Sequence, residues 1–97
     1  MTKPEWVLQN IEVGTWSSQD GAAYEVALEG INHVVGAYSR LIAEAETTAD
    51  AERVEALTAE QRRWSARRLT LTPADRAEVD AVAVECSRLL AELRGRA

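Results

Sequence analysis

A seven-residue apolar pattern runs unbroken through the first half of the chain. Tyr24, Ala27, Ile31, Val34, Tyr38, Leu41 and Ala45 follow one another at alternating spacings of three and four. This spacing gathers side chains on one face of an α-helix, whereas a half-buried strand repeats every second residue. Leu28, Val35 and Ile42 flank the seam and widen it into a stripe. A long helix with one dry face draws most of its stability from whatever covers that face. The seam therefore calls for partner helices.

Two further segments supply them. Residues 49–69 read as a helix with the seam Val54, Leu57, Gln61, Trp64, Arg68 and Leu71, in which Gln61 and Arg68 make the second half polar. Residues 73–94 carry the seam Val79, Val82, Cys86, Leu89 and Leu93, flanked by Ala83 and Leu90. Ser17 or Ser18 is placed to cap the first helix, with Asp20 in its first turn, and Thr47 and Thr48 end it. Thr72 is the expected cap of the third, with Pro73 at the first helical position and Asp75 as a capping acid. Gly95 suits its end.

Short connections between helices favour antiparallel neighbours. The expected fold is all-α: one domain over residues 1–97, an antiparallel three-helix bundle (18–46, 49–69 and 73–94) with a short N-terminal helix or arm over 1–16. In that arm Thr2 and Glu5 have the spacing of a capping box, with Pro4 in the first turn, and Trp6, Val7, Leu8 and Ile11 could line a short helix. The first helix should be about 43 Å long and the others about 30 Å. The longer one is expected to overhang, covered by the arm or by a second chain.

With 97 residues, 46% of them hydrophobic, the chain can bury a core without metals or disulfides. Cys86 is the single cysteine, which excludes an internal disulfide and makes a cytoplasmic location the expectation. Met1 to Asn10 lacks the apolar run of a signal peptide, and no stretch approaches the roughly 20 apolar residues of a membrane span. The net charge of −5 is unevenly spread: residues 1–60 hold eleven acids against Lys3, Arg40 and Arg53, while residues 61–97 hold eight arginines against five acids. The halves are expected to attract each other within the fold, and the acidic total disfavours nucleic acid, whose phosphates need cationic surface.

Catalytic chemistry finds no constellation. There is no Gly-rich phosphate loop, nucleophile elbow or Ser–His–Asp or Cys–His set, so the chain reads as a non-enzyme. No cofactor is implied. His33 and Cys86 fall short of the four ligands of a structural zinc site, and Gly30 replaces the glutamate that a di-iron Glu-x-x-His pair needs. Tyr24 and Tyr38 read as core residues with hydroxyls at the rim.

Two groups of residues are candidates for binding a partner. Glu29, Asn32, His33, Gly36 and Arg40 lie on the polar side of the long helix. Gly30 and Gly36 are also placed toward solvent there, although each costs about 1 kcal/mol relative to Ala in a helix, which suits the approach of another backbone. Arg62, Arg63, Arg67 and Arg68 surround Trp64 and could meet an acidic protein surface or stack with single-stranded nucleic acid.

The plan resembles that of small antitoxins and immunity-type inhibitors, in particular the acidic three-helix antitoxins that neutralise zeta-type kinase toxins. The resemblance covers the whole chain in size, charge and helix order. It implies a bacterial, protein-binding regulator that occludes a partner enzyme, with the polar side of Ser18 to Glu46 as the matching region. By contrast, Trp16-Ser17-Ser18 departs from the Trp-x-Gly turn of helical-hairpin secretion proteins. The alternatives are a nucleic-acid-associated module using Arg62 to Arg68 and a self-associating structural bundle.

Overall fold

A computed structural model describes residues 17–96. The expected arm over residues 1–16 lies outside the described residues. Three helices follow in order: α1 (Ser18–Thr47), α2 (Ala51–Thr70) and α3 (Arg76–Gly95). Among the described residues there is no strand, and no helix is long and apolar enough to cross a membrane. The architecture is all-α.

α1 starts where its sequence requires. The Ser17 hydroxyl accepts from the Asp20 amide, and the Asp20 carboxylate accepts from the Ser17 amide, so the two close a capping box. Its other end is less ordinary. The Asp50 amide donates to the Ala45 carbonyl and the Ala49 amide to that of Glu46, the paired bonds of a Schellman turn. Glycine usually fills the left-handed position of that turn, but here Ala49 does, at φ 57°.

α3 begins later than its sequence suggests. Asp75, not Thr72, is the N-cap, accepting from the Glu78 amide. Thr72 instead accepts from the Ala74 amide, and the Asp75 amide donates to the Thr72 carbonyl. A threonine two residues before an amide can close a local turn as readily as it caps a helix. Pro73 then belongs to that turn.

The core is α1's seam met by the other two. Ala27, Ile31, Val34, Tyr38, Leu41 and Ala45 are all buried, with Leu57, Trp64 and Leu71 from the α2 side and Val79, Val82, Cys86 and Leu93 from α3. Leu28, Val35, Ile42, Leu89 and Leu90 pack around them, half-buried. Both α2 and α3 lie closely on α1, and they approach each other much less closely. The two short helices are staggered along α1. Arg76 at the start of α3 meets Asp20 at 2.8 Å, and Arg40 reaches the Leu93 carbonyl at 3.0 Å. α2 leaves from the Thr48 turn and sets Gln61 against Val35. The seventh seam residue, Tyr24, is half-buried.

The polar half of the middle seam divides into three outcomes. The Gln61 amide donates to the Val35 carbonyl at 2.9 Å and to the Ser39 hydroxyl at 2.8 Å, so its burial is matched by hydrogen bonds. Arg67, one residue off the expected seam, turns inward. Arg68, placed on the seam by its spacing, is exposed, because α2 ends within a turn of it and Leu71 fills the core there instead.

Candidate partner-binding surface

The polar side of α1 remains open for much of its length. Glu29, Asn32, His33 and Gly36 are all exposed. Glu29 and His33, one turn apart, hold Oε2 and Nε2 3.9 Å from each other. A Cβ on Gly36 would meet nothing within 4 Å, so this stretch presents bare backbone contour to solvent.

Gly30 and Arg40 make contacts within the fold. Gly30 is half-buried against α3, where an added Cβ would lie 3.0 Å from that of Cys86. The backbone whose approach the glycine permits is the chain's own third helix. Arg40 is likewise occupied. It donates to the Leu93 carbonyl, one of the final acceptors of α3, and to Glu44 at 2.9 Å. The Leu93 carbonyl also accepts from the Arg96 amide, and the cation adds a second bond that complements the negative end of the helix.

The arginine group divides as well. Trp64 is core, and the Arg67 guanidinium lies 4.6 Å from its ring centroid. Arg67 also binds Glu85 at 3.0 Å and Glu78 at 3.2 Å, so its charge is satisfied within the fold. Burial lowers its pKa, but the bonds to Glu85 and Glu78 outweigh that and hold it above the ordinary arginine range. Arg62, Arg63 and Arg68 are exposed. None of these three forms an ion pair among the described residues.

What the fold does bring together is the far end of α2 and the first half of α1. Arg68 joins Glu25, Leu28, Glu29, Asn32 and His33 around an open dent of about 470 Å³. Members of both candidate groups thus share one surface. Sequence periodicity missed this because it ranks faces within a helix and says nothing of which faces become neighbours.

On the other side of the Glu29–His33 pair, Val26, Gly30, Ala83, Cys86 and Leu90 line a shallow groove between α1 and α3 of about 320 Å³. Val26 is 63% exposed there. The Cys86 thiol, at the floor, is pushed up to about 11 by burial, which keeps it a neutral thiol. Among the described residues no cluster of three or more His, Cys, Asp or Glu could hold a metal ion.

The charge asymmetry resolves differently from the expectation. Only Asp20–Arg76 joins the acidic half to the arginine-rich half as an ion pair among the described residues. The remaining arginine pairs of the second half are with its own acids: Arg67 with Glu78 and Glu85, Arg76 with Asp80, Arg88 with Glu92. Residues four apart on one helix, or facing across α2 and α3, are nearer than those on opposite sides of α1.

No protein-family model, curated protein or solved structure matches the chain.

Proposed function

We propose that the chain is a protein-binding regulator, of the antitoxin or immunity type, that occludes a partner enzyme through the first half of α1. The observation that carries this reading is the convergence of Arg68 with Glu29, Asn32 and His33 on one open surface. Exposed charge of both signs around a partly apolar floor suits the rim-and-core pattern of a protein interface. Gly36, next along the same side, adds a position where a partner's backbone meets no side chain. The bundle itself is read as antiparallel from α1 to α2 to α3, a course supported by the pairs Tyr38–Glu60, Val35–Gln61 and Asp20–Arg76.

The nucleic-acid reading draws less support. Base stacking needs an accessible ring face, and Trp64 is buried beneath Arg67.

The test is affinity purification of the tagged full chain from its native cell, beside Gly36→Arg and Arg68→Glu. Binding predicts one stoichiometric partner, retained by the parent chain and lost from both variants at unchanged helix content. Recovery of nucleic acid alone, of a second copy alone, or of no partner would overturn the proposal.

A further inference from the structure

α2 and α3 each lie closely on α1, yet they come much less close to one another. Among the described residues, the hydrogen bonds and ion pairs across that wider seam all come from one side chain. Arg67 leaves α2, lays its guanidinium over Trp64 at 4.6 Å, and ends between Glu85 and Glu78 of α3, with Nη1 at 3.0 Å from one and Nη2 at 3.2 Å from the other. Glu78 and Glu85 stand two turns apart on the same side of α3, so one guanidinium fork spans the gap between them. Behind the fork lies Trp64, which is 6% exposed.

We infer that Arg67 is an ionic latch on the α2–α3 seam, and that its release parts the two helices and uncovers Trp64 while each stays attached to α1. The latch is weak by construction. All three partners are partly wet: the side-chain exposures are 35% for Arg67, 49% for Glu78 and 40% for Glu85. Pairs this exposed are held loosely and respond to salt. The apolar contacts with α1, which involve the fully buried Ile31, Val34, Val79 and Val82, do not share that sensitivity. Ionic strength therefore acts chiefly on this seam: on the α1–α3 side it reaches the Asp20–Arg76 pair at one end, while the buried apolar contact there is unaffected. The surface uncovered is an aromatic ring framed by two freed carboxylates and one freed guanidinium. That composition fits the hot-spot chemistry of protein interfaces.

The test uses the full chain carrying 5-fluorotryptophan, whose Trp64 fluorine signal is assigned with Trp6→Phe and Trp16→Phe. The change of that signal between H2O and D2O reads the exposure of the ring. Raising NaCl from about 0.1 M to about 1 M shortens the screening length from about 10 Å to about 3 Å. In the parent chain this should increase the Trp64 solvent shift severalfold with helix content unchanged. Arg67→Met should show the larger shift already at low salt and lose the salt response. The double variant Glu78→Gln/Glu85→Gln leaves the ring's neighbour in place and should behave the same way, so it stands in should Arg67→Met fail to fold. A Trp64 shift that ignores both salt and the double variant would overturn the latch. So would a shift that changes only together with loss of helix content.

Discussion

A Cβ placed on Gly30 would lie 3.0 Å from the Cβ of Cys86 and 3.5 Å from its sulfur. Because the Cys86 Cβ is fixed to the α3 backbone, it cannot rotate away, and a larger side chain at Gly30 must push the helices apart. Gly30→Val is expected to cost about 1–3 kcal/mol, the usual range for overpacking. Gly36 has open space around its Cβ position, so Gly36→Ala should stabilise by about 0.5–1 kcal/mol through helix propensity. Urea midpoints of the two variants should therefore move in opposite directions. Movement in the same direction would refute the assignment of Gly30 to the helix contact.

Tyr38 is 1% exposed, and its hydroxyl donates to the Glu60 carboxylate at 2.5 Å. Tyr38→Phe keeps the ring packing and removes only that donor. The loss should be about 1–2 kcal/mol, as for a hydrogen bond to a charged acceptor. Thermal unfolding of the pair of proteins measures it, and equal stability would mean that water replaces the phenol without cost.

The pH dependence of stability follows from three groups. Burial, aided by the bond to Glu60, pushes Tyr38 up to about 12 from 10.0, and burial pushes Cys86 up to about 11 from 9.0. Both are neutral when protonated, and the folded state holds those protons more tightly than the unfolded chain. Their contribution is complete below the unfolded value of about 9 and is lost as pH rises through about 11 and 12. Asp20 behaves in the opposite sense. The Arg76 hydrogen bond, then that from the Ser17 amide, hold its carboxyl below 3.8, so its contribution is present above that value and lost as pH falls below it. Urea midpoints should form a plateau with an alkaline decline. The decline should shrink in Tyr38→Phe and in Cys86→Ala. An alkaline arm unchanged in both variants would remove these groups as its cause.

Ala49 occupies the left-handed position of the Schellman turn at φ 57°. A Cβ there costs about 1–2 kcal/mol, partly offset because glycine has more freedom to lose on folding. Ala49→Gly should thus raise stability by about 0.5 kcal/mol, read from denaturant midpoints at constant slope. A decrease would show that the unfolded-state effect dominates.

The helices were legible because burial imposes a period on sequence. Every interior residue of α1, from Ala27 to Ala45, lies on the seam that spacing alone picks out. Turn chemistry was less legible. Thr72-Pro73 and Asp75 both offer helix starts, and only the geometry of the turn selects Asp75. Ala49 carries no glycine signal at all for the turn it occupies. Least legible were relations between helices. One-residue differences separate Arg67, which is folded into the seam, from Arg68, which stands on the α1 dent. The same limit hid the role of Gly30, whose neighbour Cys86 is distant in sequence but opposite it in space.

α1 is the common support of both other helices, and this gives the chain a direction in time. Synthesis proceeds from the N-terminus, so α1 and α2 are made before Arg76–Gly95 exists. Until then the side of α1 marked by Gly30 and Arg40 lacks the cover that α3 gives, and Ile31 and Val34 keep only part of their eventual surroundings. The nascent hairpin is thus an adhesive surface for a limited period, and Cys86 and Leu93 are the residues whose arrival ends it.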